Sequence, residues 1–118
     1  MADITWVVVA DGGRARIFET AGLKLELREI EDLVNVVPGG ITLRDREREK
    51  FAKTIAERLE QGRLEHRYHR LRLAVEPRFL GMLRKHLSAE TLQMIFEVIN
   101  EDLSAFDARE VQAHLRTH

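Results

Sequence analysis

Residues 6–19 read WVVVADGGRARIFE, an apolar run, a turn signal, and then charge alternating with bulk. Ile4, Trp6 and Val8 line one alternating face of the first segment and Val7 and Val9 the other, the pattern of a central strand covered on both sides. After Gly13 the alternation resumes, with Ala15 and Ile17 opposite Arg16 and Phe18. A phosphate-cradling loop of the Rossmann or P-loop type needs a helix directly after its glycines, because the helix N-terminal amides hold the anion. Here a second strand follows, and Gly12-Gly13 lacks the longer glycine spacing. Asp11-Gly12-Gly13 therefore reads as a hairpin corner, where a positive φ costs glycine little.

Further along, Leu23, Leu25 and Leu27 alternate with Lys24, Glu26 and Arg28, which predicts a half-exposed edge strand after a turn at Ala21-Gly22. Residues 32–42, with Pro38-Gly39-Gly40, read as an irregular connection. From Arg44 the period changes. Phe51, Ala52, Ile55, Ala56 and Leu59 mark the inner face of a long helix, whose first turns (RDREREK) read as a solvated face with i,i+4 pairs. Gly62 is one candidate end, and a continuation through His66 is the alternative. Leu71, Leu73 and Val75 predict a fourth strand, Pro77 the first turn of a helix lined by Leu80, Leu83 and Leu87, and Ser88 the cap of a short one. Residues 94–100 (MIFEVIN) fit strand or helix by period, and their β-branched and aromatic content favours strand. Asp107 with Glu110 predicts a capping box at the start of a last helix on Ala108, Val111 and Leu115.

The resulting order, β-β-β-α-β-α-β-α, is an antiparallel meander continued by right-handed crossovers. It predicts an α/β fold: a five-stranded mixed sheet in the order 3-2-1-4-5, with helices on both faces. That is a ribonuclease H-like architecture, shared by components of the translation machinery.

A chain of 118 residues suits one domain, expected over residues 1–118. A formal net charge of -1 sets up no global field toward nucleic acid or membrane, so such binding needs a local patch. Cysteine is absent, which rules out disulfides and thiol chemistry and fits a reducing compartment. No apolar stretch approaches the ~18 residues of a membrane span, and no signal-peptide pattern opens the chain. A cytoplasmic location without membrane contact is expected.

A two-metal nuclease on this fold would gather carboxylates from the first strand, first helix and fourth strand, here Asp11, Glu47 or Glu49, and Glu76. The middle of the first strand is Val7-Val8-Val9, however, and these acids read as turn and surface groups. His66-x-x-His69 and His114-x-x-x-His118 have spacings of interest for zinc but no third ligand nearby. Ser88 and Ser104 lack a nucleophile elbow and read as helix caps, and Met82 and Met94 as core filler. No catalytic residue, metal or cofactor is expected. Basic residues gather modestly at Arg63, Arg67, Arg70, Arg72, Arg78, Arg84 and Lys85, with Arg14 and Arg16 on strand two; beside Tyr68 and Phe79 they suggest an RNA-contacting patch, with solvated surface as the plainer reading.

The segments WVVVADGGRARIFE, FAKTIAERLEQGRLEHRYHRLRLAVEPRFLGMLRKHLS and INEDLSAFDAREVQAHL together resemble the bacterial host-attachment protein family. That family in turn resembles the middle domain of archaeal and eukaryotic peptide-chain release factors, which carries Gly-Gly-Gln on the loop between strand three and the first helix. Gly39-Gly40 falls in this connection, but Ile41 replaces the glutamine. The resemblance carries over no catalytic residue. Arg14, Arg16, Pro77, Arg78, Gly81 and Arg84 match the family pattern, Gly81 as a site of close helix–sheet packing. It implies a non-catalytic binding domain touching RNA or the ribosome through Arg14, Arg16, Arg78 and Arg84. The alternatives are a protein-interaction module affecting attachment and a metal-dependent nuclease; a homodimer through the amphipathic edge strand is a further expectation.

Overall fold

The computed structural model describes residues 3–22, 26–36 and 44–116. The strands are β1 (Ile4–Ala10), β2 (Arg14–Ala21), β3 (Arg28–Val34), β4 (Arg70–Val75) and β5 (Ile95–Ile99). The helices are α1 (Asp45–Leu64), α2 (Pro77–His86), α3 (Ala89–Gln93) and α4 (Ala108–Arg116). They form one mixed sheet in the order β3-β2-β1-β4-β5. β1 pairs antiparallel with β2 and parallel with β4, as the crossover through α1 requires.

Both faces of β1 are buried. Trp6, Val8, Leu71 and Leu73 meet Ile55 and Leu59 of α1 and Leu83 of α2 on one face. Val7, Val9, Phe18 and Ala74 meet Val111 and Leu115 of α4 on the other. The inner face of α1 is the predicted one: Phe51, Ala52, Ile55, Ala56 and Leu59 are all buried. Its C-terminus closes by a Schellman pattern, with Arg67 N–H donating to the Gly62 carbonyl (2.8 Å) and His66 N–H to that of Arg63 (3.1 Å). His66 holds the left-handed position usually given to glycine, at φ 56°.

The Asp11 corner is a hairpin, but not for the expected backbone reason. Asp11 Oδ1 accepts the N–H groups of Gly13 (2.8 Å) and Arg14 (2.9 Å), and neither Gly12 nor Gly13 has a positive φ. A Cβ on Gly12 would lie 2.8 Å from Cδ of Arg48, whose side chain reaches over the turn from α1 and would have to shift.

The third strand lies later than its leucine pattern predicted. It runs from Arg28 to Val34, while Leu27 precedes it, buried, with its N–H donated to Oε1 of Gln112 at 3.0 Å. Residues 23–25 lie outside the described residues, as does Pro38-Gly39-Gly40-Ile41. A register shift opposite Ile17/Phe18 spaces the inward residues Ile30 and Leu33 three apart, so period two fails there. Gly81 also departs from expectation: it is exposed, and a Cβ added to it meets nothing within 4 Å.

Candidate nucleic-acid interface

β5 is an edge strand, paired parallel with β4. Leu71 is opposite Ile95, but Arg72 is opposite Glu97, so Phe96 is the extra residue of a bulge. A bulge re-aims a side chain, and the Phe96 ring is 49% exposed. The guanidinium carbon of Arg70 lies 5.0 Å from its centroid and that of Arg72 lies 5.8 Å away. Both are within the ~6 Å reach of a cation–π contact.

The two arginines differ in freedom. Arg72 is buried, and its guanidinium donates to Oε1 of Glu97 at 2.8 Å. It forms a fixed floor. Arg70 is exposed and makes no ion pair among the described residues. Two shallow depressions share Phe96 as a wall. One, of about 430 Å³, adjoins Arg84 and Leu92. The other, of about 560 Å³, is bounded by Arg63, His66, His69, Arg70 and Met94, with Glu90 among its acids. Both have the volume of a small-ligand site, whereas the cleft beside Trp6 and Gly62 measures only about 140 Å³.

Of the four arginines singled out from sequence, Arg84 alone adjoins this surface. Arg14 and Arg78 stand at the opposite end of the sheet, where β1 and β4 finish. Arg14 makes a two-pronged bond to Asp32 (3.0 and 2.9 Å), which holds the Asp32 carboxyl below its usual range. Arg78 bonds both oxygens of Asp45 (2.9 and 3.0 Å). Arg16 is 4% exposed, and its guanidinium donates to the carbonyls of Leu103 (3.2 Å) and Ser104 (3.1 Å). It ties β2 to the segment before α4, and burial lowers its pKa. The aromatic neighbours expected for a patch, Tyr68 and Phe79, are buried at 2% and 1% exposure. Phe96, which the sequence reading used only as a strand signal, is the exposed ring.

Of the acids considered for a nuclease, Asp11, Glu49 and Glu76 serve local structure, while Oε2 of Glu47 is buried without a hydrogen-bond partner among the described residues. Asp11 holds its turn and accepts the Ser104 hydroxyl through Oδ2 at 2.9 Å. Glu76 caps α2, accepting the N–H groups of Arg78 and Phe79, both at 2.9 Å. Glu49 faces His86 at 3.1 Å. Among the described residues no group of three or more His, Asp or Glu is disposed to hold a metal ion. Ser88 caps α3 as expected, donated to by Thr91 N–H at 3.1 Å. Ser104 caps no helix: Asp107 and Glu110 form the box that opens α4, with bonds of 2.8 and 3.1 Å. His114 stacks on Phe106, and His118 lies outside the described residues. Among the described residues no helix is long and apolar enough to cross a membrane.

A family model described as "Protein required for attachment to host cells" matches residues 41–115. The chain belongs to that family. Among solved structures it is similar to one described as an archaeal protein, with a TM-score of 0.50 and 17% sequence identity. The match covers 94% of this chain and 34% of that one, so the chain spans about a third of the archaeal protein's length. The likeness speaks for the fold alone. No curated protein matches the chain.

Proposed function

We propose that this domain is a non-catalytic binder of single-stranded RNA, and that the β4–β5 edge is its contact surface. The observation that carries the reading is the exposed Phe96 ring against the guanidinium groups of Arg70 and Arg72. Single-stranded RNA is held by stacking its unpaired bases on aromatic rings and arginine planes, with further cations along its phosphates. Arg84 on one side and Arg70 on the other supply those cations, and arginine grips phosphate through two parallel N–H bonds. A local patch of this kind overcomes a net charge of -1. The resemblance to a release-factor domain supports a place near the translation apparatus in the cytoplasm.

The rival reading, a protein-interaction module, draws on the same exposed Phe96 and Leu92. Salt separates the two. Fluorescence anisotropy with a labelled single-stranded RNA of ~10 nucleotides should show affinity falling steeply with salt, with a log–log slope of about -0.7 for each phosphate contacted. Arg70→Glu and Arg84→Glu should weaken binding and flatten that slope. Absence of binding, or binding indifferent to salt, contradicts the proposal. The tagged protein isolated from its own cells should bring RNA or ribosomes with it; a salt-insensitive protein partner without RNA supports the rival.

A further inference from the structure

The larger depression beside Phe96 contains a histidine whose tautomer is dictated by the backbone. Ile4 N–H donates to Nδ1 of His69 at 2.9 Å, while His69 N–H donates to the Ile4 carbonyl at 2.8 Å. A ring nitrogen that accepts a hydrogen bond carries no proton, so the neutral imidazole of His69 must be protonated at Nε2. The exposed His69 is thereby a fixed N–H donor on the rim of the depression. Holding the start of β1 needs only an acceptor, which an asparagine would supply equally well. The second ring nitrogen is left for another partner.

The surroundings indicate which partner. His69 shares its depression with Arg63, His66 and Arg70, against the single carboxylate of Glu90, so the cavity favours an anion. Arg63 is partly committed to Glu60 through an ion pair, whereas Arg70 is not paired among the described residues. Phe96 and Met94 provide an apolar wall beside these donors. About 560 Å³ is room for one nucleotide turned out of its stack.

We infer that this depression seats one unstacked nucleotide of the bound strand, its base on Phe96 and a phosphate oxygen accepting from Nε2–H of His69 and from Arg70. The inference rests on the RNA-binding reading and adds a binding residue to it. His69 thereby contributes a positioned Nε2–H donor.

The discriminating variant is His69→Asn, whose side-chain oxygen can still accept the Ile4 N–H but which lacks the Nε2–H donor. With a labelled oligouridylate of ~8 nucleotides at pH 8, His69→Asn should unfold at the wild-type temperature yet bind roughly ten- to hundredfold more weakly, the loss of one hydrogen bond to a charged group. Wild-type affinity in His69→Asn would overturn the inference and leave His69 as a clamp on β1. Failure of the wild-type protein to bind is a separate result and defeats the surface reading itself. Imidazole nitrogen NMR of the wild-type protein gives a check that needs no variant. The free protein should show the Nε2–H tautomer at His69, and uridine 5′-monophosphate should shift that resonance together with the ring signals of Phe96. Unmoved His69 signals under saturating nucleotide would also overturn it.

Discussion

Trp6 and Gly62 meet across the β1–α1 interface with no room for another carbon: a Cβ at position 62 would lie 2.7 Å from both Cη2 and Cζ3 of the indole and 3.0 Å from Cε1 of Tyr68. Both rings are buried and in contact, their centroids 4.6 Å apart and their planes tilted by 37°, so either ring can yield only by shifting the other or by entering the small cleft beside Trp6. Helix propensity alone would favour alanine over glycine by about 1 kcal/mol, but overpacking a rigid core opposes it by about 1–3 kcal/mol. Gly62→Ala should therefore destabilise the fold in urea unfolding. Gly81→Ala, on the exposed face of α2 with nothing to strike, should stabilise it by about 0.5–1 kcal/mol. Equal effects at the two positions would contradict this account of the core.

Tyr68 is held in the same cluster, its hydroxyl donating to the Leu59 carbonyl at 2.7 Å. Burial pushes its pKa up to about 12. The folded state then keeps a proton that the unfolded chain releases near pH 10, so stability falls as pH rises from about 10 toward 12. Tyr68→Phe should be less stable at neutral pH, having left the Leu59 carbonyl with one partner fewer. It should also lose less stability between pH 9 and 11 than the wild-type protein does. Denaturant midpoints across that range check the slope.

An acid-side counterpart lies in Glu60. The Ser88 hydroxyl, the Arg63 guanidinium and the Thr91 hydroxyl all donate to it and lower its pKa, the serine bond contributing most. A lowered folded value means that its contribution is present above the ordinary carboxylate range and is lost as pH falls through that range. Glu60→Gln should flatten the decline in stability between about pH 5 and pH 3. An unchanged acid limb in Glu60→Gln would mean that other carboxylates govern it.

The sheet order was legible because the apolar periods are undisturbed where they matter. Ile4 to Ala10 is apolar on both faces, the α1 stripe repeats from Phe51 to Leu59, and Asp107 with Glu110 marks a helix start. Two bulges concealed the rest. The one on β3 spaces Ile30 and Leu33 three apart, so the leucines just before it drew the strand too early. The one on β5 turns Phe96 outward, whereas an aromatic residue in a β-branched run reads as core. The arginines are a different case. Sequence gives their positions but not their partners: Asp32, Asp45 and the carbonyls of Leu103 and Ser104 take up three of the four singled out.

Phe96 therefore bears the central claim, and its exposure makes it testable without disturbing the core. The decisive measurement is single-stranded RNA affinity, by fluorescence anisotropy at fixed salt, for the wild-type protein, Phe96→Ala and Phe96→Trp. Base–aromatic stacking is worth about 1–3 kcal/mol, so Phe96→Ala should bind roughly five- to hundredfold more weakly, while Phe96→Trp should retain or improve binding. Equal affinity in all three, or no binding by the wild-type protein, would contradict the assignment of the β4–β5 edge as an RNA-binding surface.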